Sequence, residues 1–131
     1  MPLPSPPCVL LVEDEPLIRM LTTDMLDALG YAATEAGTGA EALAIDDGAL
    51  QALAGLVIDL GLPDHPGLEV ARLLRQRRPD LPVILTTGAD ASEALAQLAG
   101  GGPAVALEKP YHFSQLQEAA GILTAAAGSV A

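Results

Sequence analysis

Five short apolar runs alternate with amphipathic segments along the chain, and this alternation limits the possible folds more than any other feature. Each run has four to six residues, the length of a strand that is covered on both faces. The runs lie at 8–12, 31–36, 55–59, 82–87 and 104–107, and the second of them is a weak strand signal. Segments with apolar residues at helical spacing follow at 16–29, 39–45, 68–78, 90–99 and 113–127. We therefore predict an α/β fold, in which a five-stranded parallel sheet carries helices on both faces.

Local signals mark where the predicted helices begin and end. Pro16 suits the first helical position, where its missing N–H is harmless, and Gly30 suits the residue after that helix. Pro79 ends the third helix. Asp90 and Glu93 resemble a capping box at the start of the fourth helix, with aspartate in place of serine or threonine.

Composition and charge narrow the possible partners and locations. A net charge of −11 argues against direct binding to nucleic acid, because phosphate backbones are bound by basic patches. The single cysteine, Cys8, excludes an internal disulfide and fits a reducing compartment. No apolar run reaches the length of a membrane span, and the first residues lack the pattern of a signal peptide. We therefore expect a cytoplasmic protein without a membrane partner.

The length of 131 residues fits one domain with a core of its own. We expect residues 1–7 to form a flexible proline-rich lead-in, 8–127 the domain, and 128–131 a frayed tail. No output domain follows, so we expect the output to be another protein, or this domain to be part of a longer chain.

Polar side chains follow four of the five predicted strands. In an open parallel sheet, ligands bind outside the carboxyl ends of the strands, so we expect these side chains to meet at one edge. They are Glu13 and Asp14, Asp59, Thr86 and Thr87, and Glu108 and Lys109.

These residue types suit phosphoryl transfer at a metal site. Three carboxylates in one crevice repel each other unless a cation joins them, and oxygen ligands favour Mg²⁺ over zinc. An aspartate can act as the nucleophile, while a lysine and a threonine hydroxyl bind phosphoryl oxygens. Each residue alone also suits a structural role, such as an acidic turn before a helix or a solvated loop lysine. Only the joint pattern favours the chemical interpretation.

Four motifs, in order along the chain, carry a resemblance to a known family. They are "VLLVEDEPLIRMLTTDMLDALGY", "LVIDLGLPDHPGLEVARLLR", "PVILTTG" and "ALEKP". Together they resemble the receiver domain of two-component response regulators, including the single-domain chemotaxis receivers, over about residues 9–123. The spacings from Asp59 to Thr87 (87 − 59 = 28) and from Thr87 to Lys109 (109 − 87 = 22) also fit.

The resemblance implies a role for each residue at the strand ends. Asp59 would accept a phosphoryl group from a sensor histidine kinase or a histidine phosphotransfer protein. Asp14, with Glu13 partly through water, would hold Mg²⁺ or Mn²⁺ together with Asp59 and the backbone carbonyl of Gly61. Thr87 and Lys109 would each contact a phosphoryl oxygen.

The resemblance also implies the topology and the output. The fold would be flavodoxin-like, with strand order 2-1-3-4-5. The Lys109–Pro110 peptide bond would be cis. A downstream protein would bind the surface formed by the fourth helix, the fifth strand and the fifth helix. The domain would be a phosphoacceptor rather than an enzyme, with metal-dependent self-phosphorylation from small phosphodonors and self-dephosphorylation.

Some positions depart from the family pattern or invite other interpretations. The family commonly has an aromatic residue where this chain has Ala106, which leaves the usual switch open; Tyr111 is a candidate substitute, or packs over the last helix. Gly61 and Ala89 have no side chain to orient an attacking water, so we expect slow to moderate self-dephosphorylation. His65 is expected to be a solvated loop residue.

Arginine and glycine residues outside the site receive ordinary interpretations. The arginines at 72, 75, 77 and 78 are expected to be solvated, and the glycines at 100–102 to make the neighbouring face mobile. Lys109 is the only lysine, and the preference for arginine elsewhere is ascribed to background usage.

Two other functions remain open at this point. Ala106 is compatible with a binding module that no longer depends on phosphorylation. A phosphatase with an aspartyl nucleophile would share the layout, but it requires a second aspartate where this chain has Gly61. A flavodoxin is disfavoured because the acidic stretch after the first strand does not suit a flavin phosphate.

Overall fold

The computed structural model describes residues 6–123, which form one parallel five-stranded sheet flanked by helices. The strand order is β2-β1-β3-β4-β5, so the predicted fold class and order are confirmed. The strands are β1 (Cys8–Val12), β2 (Ala32–Ala36), β3 (Gly55–Asp59), β4 (Val83–Thr87) and β5 (Ala104–Glu108). The expectations for residues 1–5 and 124–131 fall outside the described residues.

Within residues 6–123, six helices surround the sheet, one more than the sequence predicts. They are α1 (Pro16–Ala28), α2 (Gly39–Leu43), α3 (Asp47–Ala52), α4 (Gly67–Arg77), α5 (Ser92–Leu98) and α6 (Phe113–Ala119), the last continued by a 3₁₀ turn over Ala120–Ile122. The fourth and fifth predicted helices are therefore α5 and α6. In this part of the chain, no helix is long and apolar enough to cross a membrane.

Successive strand residues point to opposite faces and build two core layers. On one face, strand residues pack with α2 to α5; these residues include Leu10, Val12, Leu56, Ile58, Val83 and Leu85. On the other face, strand residues pack with α1 and α6; these residues include Val9, Leu11, Val57, Ile84 and Leu107. Because both faces are covered, the carboxyl edge of the sheet is where polar side chains can gather.

Two local predictions about helices are wrong. Helix α3 is absent from the sequence-based prediction, because it is short and contains a glycine; its start is stabilised by Asp46, whose carboxylate accepts a hydrogen bond from the Ala49 amide at 2.8 Å. The capping box at α5 does not form. Asp90 instead accepts hydrogen bonds from the amide and the hydroxyl of Ser92, and Ala91 takes the capping position. Local side-chain bonds of this kind compete with helix capping.

The expectation that the arginines near the end of α4 are solvated is wrong for two of them. Arg75 and Arg78 are buried, at 8% and 7% exposure. The Arg75 guanidinium donates to four backbone carbonyls, those of Leu81, Leu98, Gly102 and Pro103. The Arg75 side chain thus holds the glycine-containing loop after α5 through its backbone carbonyls.

The preference for arginine over lysine has a structural reason. Arg78 donates hydrogen bonds to the carbonyls of Leu50 and Leu53 at the end of α3. Arg77 donates to the carbonyls of Leu43 and Ile45. A planar fork with five donors can serve several carbonyls at once, whereas an ammonium acts as a point charge. Background usage is therefore not needed to explain these positions.

Candidate functional site

Three carboxylates meet at the carboxyl ends of β1 and β3. Asp59 is the last residue of β3, and Glu13 and Asp14 directly follow the neighbouring strand β1. The Glu13 amide donates to the Ala36 carbonyl at 3.0 Å, which continues the sheet pairing by one residue and fixes the acidic pair. One oxygen from each carboxylate lies within 4.8 Å of the other two. Glu13 and Asp59 are buried, and Asp14 is half-buried.

Lys109 joins this group from the end of β5. Its Nζ atom lies 2.9 Å from Oδ2 of Asp59 and 2.8 Å from Oε1 of Glu13. The Lys109 amide donates to the Thr87 carbonyl at 2.7 Å, so the residue is fixed to β4 at its backbone. The Lys109–Pro110 peptide bond is cis, as the family resemblance implies.

Both carboxylate oxygens of Asp59 are engaged. Oδ1 accepts a hydrogen bond from the Gly61 amide at 3.1 Å, while Oδ2 faces Lys109. The predicted use of the Gly61 carbonyl as a metal ligand stays a prediction. Gly67 explains why the loop can return so close to β3, since a side chain there would collide with the backbone carbonyl of Asp59.

Thr87 ends β4 at the same edge of the sheet. It is buried, and its hydroxyl accepts a hydrogen bond from the Ala89 amide at 3.1 Å. Its neighbour Thr86 is the register partner of Asp59 in the adjacent strand. The fold thus brings Thr87 to the edge that carries Asp59, while the direct side-chain contacts in the site are those of Lys109 with Glu13 and Asp59.

Burial and hydrogen bonding shift the pKa values of two of these groups. Burial raises the pKa of Glu13, and the hydrogen bond from Lys109 offsets only part of this effect. Burial works to lower the pKa of Lys109, but the hydrogen bonds to Glu13 and Asp59 outweigh it, and the pKa is raised overall. The lysine therefore remains a cation throughout the neutral range.

The donor set fits a hard divalent cation. Mg²⁺ and Mn²⁺ prefer oxygen ligands, and the cluster offers carboxylate oxygens. In their ionised forms, three carboxylates and one ammonium leave a formal charge of −2 (−3 + 1). A divalent ion balances this charge. Glu13, Asp14 and Asp59 are the residues that would hold it.

Two contacts near the site are not predicted by the sequence. Arg19 donates to the Glu13 carbonyl at 2.7 Å and pairs with Glu35 at 3.1 Å, so it fixes the acidic turn. Tyr111 packs on the α1 side of the sheet, and its hydroxyl lies 2.6 Å from that of Thr22 in α1. The apolar periodicity carries no signal for either contact, because each is made between polar groups, which the apolar pattern does not describe.

Comparison with known proteins agrees with this geometry. The family model described as the response regulator receiver domain matches residues 9–121. The chain belongs to this family. A curated relative of this receiver domain is the probable transcriptional regulatory protein TcrX of Mycobacterium tuberculosis, 36% identical over 113 residues. The match covers 86% of this chain and 47% of TcrX, so the receiver domain spans less than half of that relative.

Solved receiver domains have the same architecture. A receiver domain protein from Clostridium thermocellum superposes with a TM-score of 0.78 at 22% identity, covering 88% of this chain and 91% of that one, and supports the fold alone. The response regulator TrrA of Thermotoga maritima, solved in complex with Mg²⁺-BeF, has a TM-score of 0.73 at 30% identity. That match covers 86% of this receiver domain and 94% of the TrrA chain.

Proposed function

We propose that Asp59 accepts a phosphoryl group from a phosphohistidine on a sensor histidine kinase or a histidine phosphotransfer protein. The observation that carries the proposal is the state of the Asp59 carboxylate. It is buried, oriented by the Gly61 amide on one oxygen and by Lys109 on the other, and lies beside Glu13 and Asp14. A carboxylate held in this way is a preorganised nucleophile.

The transfer exchanges one bond to phosphorus for another. An oxygen of Asp59 forms a bond to phosphorus as the P–N bond of the phosphohistidine breaks, and the imidazole leaves and takes up a proton. The product is an acyl phosphate on Asp59. Glu13, Asp14, Asp59 and the Gly61 carbonyl would hold Mg²⁺ or Mn²⁺, which would supply positive charge to the phosphoryl oxygens. Each domain accepts one phosphoryl group, so the role is that of a signalling phosphoacceptor.

Lys109 and Thr87 provide the response to the new group. Before transfer, Lys109 forms ion pairs with both Asp59 and Glu13. After transfer, its compact ammonium contacts one phosphoryl oxygen, and the Thr87 hydroxyl, which accepts a hydrogen bond from the Ala89 amide before transfer, donates its O–H to another. Because Thr87 ends β4 and borders the groove beside α5, these new contacts favour a second arrangement of that edge, which is a population shift between two states.

The surface beside the site suits a protein donor. The exposed faces of α1 carry three large apolar side chains, Leu17, Met20 and Leu21, at 63%, 53% and 47% exposure. An adjacent cavity of about 330 Å³ is lined by residues of α1 together with Lys109, Pro110 and Tyr111. Exposed apolar surface of this kind marks protein contacts. The cavity borders Lys109, which contacts the Asp59 carboxylate that a phosphodonor must reach.

We assign the output to the surface of α5, β5 and α6. This surface adjoins Thr87 through a groove of about 200 Å³ that Ala106 and Leu95 help to line. In the absence of an aromatic side chain at Ala106, the groove itself and α5 carry the change to a downstream protein.

Gly61 and Ala89 leave an attacking water without a side chain to orient it, so the acyl phosphate decays slowly to moderately. A half-life of seconds at room temperature would contradict this part.

The direct experiment incubates the protein with Mg²⁺ and acetyl phosphate and measures the intact mass. One acid-stable, base-labile phosphoryl group is expected on the wild type and on the control Asp46→Asn, which changes an exposed aspartate away from the site. Asp59→Asn is expected to remain unmodified. A wild type that takes up no phosphoryl group would favour the phosphorylation-independent binding module instead.

A further inference from the structure

A carboxylate bridge joins the loop after β3 to the start of α2. Oδ1 of Asp64 accepts a hydrogen bond from the Gly39 amide and Oδ2 accepts one from the Ala40 amide, both at 2.9 Å. The first amides of a helix have no partner within the helix. At α2, the capping side chain of Thr38 serves the amide of Glu41. Asp64 thus supplies, from a different element, acceptors for the two preceding amides.

The loop that carries Asp64 is the one that begins at Asp59. Its base is closed by the hydrogen bond from the Gly67 amide to the Leu60 carbonyl, at 3.0 Å. Its near half is held by Leu62, whose side chain is buried in the core at 9% exposure. Asp64 holds the part of the loop nearest α2, so the loop between β3 and α4 is held at three points.

Gly61 lies inside this loop and touches the proposed phosphoacceptor. Its amide donates to Oδ1 of Asp59 at 3.1 Å, and the direction of that bond depends on where the loop backbone lies. We propose that Asp64 is a positioning residue, which fastens the loop to α2 and thereby holds the Gly61 amide against the Asp59 carboxylate. The consequence for phosphoryl transfer rests on the proposed function of Asp59; the effect on the Gly61 amide does not.

Helix α2 is a firm attachment point. Arg77, at the end of α4, donates to the carbonyls of Leu43 and Ile45 at 3.3 and 2.6 Å, which holds the segment after α2. The start of α2 approaches the loop so closely that a Cβ atom at Gly39 would lie 3.1 Å from Cβ of His65. Two features therefore make this contact. Gly39 in α2 allows the close approach, and the Asp64 carboxylate in the loop accepts the hydrogen bonds.

A simple helix cap would behave differently from a positioning residue. If Asp64 only stabilised α2, its loss would loosen the first turn of that helix and leave Asp59 as it was. If Asp64 positions Gly61, the two ends are coupled, and coupling between sites is reciprocal. Metal binding at Asp59 should then also slow the opening of the Gly39 and Ala40 amides in the wild type.

The experiment compares Asp64→Ala and Asp64→Asn with the matched control Asp46→Ala. Asp46 also caps a short helix in the same part of the fold, but its bond is to Ala49 within its own segment. In metal-free protein, amide hydrogen exchange at Gly61 should be about five- to tenfold faster in Asp64→Ala, the factor expected for losing one net hydrogen bond. Asp64→Asn keeps one acceptor oxygen and should show a smaller increase, and the control should match the wild type.

Two further measurements test whether the loss of Asp64 affects metal binding and phosphorylation at Asp59. Titration with Mn²⁺ alone should show weaker binding to Asp64→Ala than to the control, and phosphorylation by acetyl phosphate should be slower by a similar factor. Faster exchange at Gly39 and Ala40 with unchanged Gly61 exchange and Mn²⁺ affinity would overturn the proposal and leave a helix cap. If Asp64→Ala does not fold, Asp64→Asn decides by the same criteria. If the wild type takes up no phosphoryl group, the proposed function fails, and Gly61 exchange and Mn²⁺ affinity alone decide the positioning role.

Discussion

The Nζ atom of Lys109 lies 2.9 Å from Oδ2 of Asp59, although 50 positions separate the two residues in the sequence. The same nitrogen lies 2.8 Å from Oε1 of Glu13. One cation thus forms ion pairs with two buried carboxylates and reduces the repulsion between them. The relationship requires a compact charge at the end of β5, and it explains why the only lysine of the chain stands there.

Lys109→Arg is expected to keep the fold and the uptake of the phosphoryl group but to lose the response to it. A guanidinium is bulkier and prefers two-pronged partners, so it does not replace an ammonium that contacts a single phosphoryl oxygen. The measurement compares amide chemical shifts along α5 before and after phosphorylation. Shift changes equal to those of the wild type would contradict this prediction. Arg72→Lys, an exchange of cations at an exposed position, is the control.

Ala106→Trp is expected to fold and to report phosphorylation. The chain contains no tryptophan, and Ala106 borders a groove of about 200 Å³ beside Thr87 that can receive part of an aromatic ring. Tryptophan also suits a strand. If the edge at Thr87 rearranges on phosphorylation, the emission of this single tryptophan should change, and the change should be absent in the double variant with Asp59→Asn. Constant emission in a fully phosphorylated sample would argue against a rearrangement there.

Arg75→Lys is expected to lower the free energy of unfolding by about 1–3 kcal/mol, since an ammonium leaves some of the four buried carbonyls without a donor. These carbonyls belong to Leu81, Leu98, Gly102 and Pro103. Urea unfolding measures the loss. Arg72→Lys should change the value by less than about 0.5 kcal/mol, because Arg72 is exposed. Equal effects of the two exchanges would contradict the assignment.

The bridge made by Asp64 should depend on pH. Hydrogen bonds from the amides of Ala40 and Gly39 hold the pKa of this carboxyl below its ordinary value of 3.8. A folded-state pKa below the unfolded one contributes stability above the unfolded value, and this contribution is lost as the pH falls through the folded value. The difference in unfolding free energy between wild type and Asp64→Asn should therefore shrink as the pH falls below 3.8. A difference that stays constant or grows below pH 3.8 would show that another group is responsible.

The sheet and its polar edge could be predicted because they follow from short-range patterns. Continuous apolar runs specify buried parallel strands, and parallel topology places all their carboxyl ends together. Asp59 and Lys109 therefore come to the same edge whatever the details of the loops. The interval between Thr87 and Lys109 needs only one helix and one strand, which the sequence indicates clearly.

The contacts of Arg75 and Asp64 could not be predicted in the same way. Each depends on backbone groups from segments that are far apart in sequence, and carbonyls and amides leave no mark on the side-chain pattern. Arg75 has the helical position of a solvated residue, and its burial follows only from the loop that passes over it. The prediction at Asp90 is wrong for a different reason, since a bond to the nearby Ser92 competes with the capping box.

The central claim, that Asp59 is the phosphoacceptor, is tested most directly by locating the acyl phosphate. Borohydride reduces an aspartyl phosphate to homoserine, which peptide mass spectrometry places at a single position. After incubation with Mg²⁺ and acetyl phosphate, homoserine is predicted at position 59 alone, and it should be absent without the phosphodonor and when the metal is chelated. Homoserine at Asp14 with Asp59 intact, or none at all in protein shown to be folded, would contradict the account.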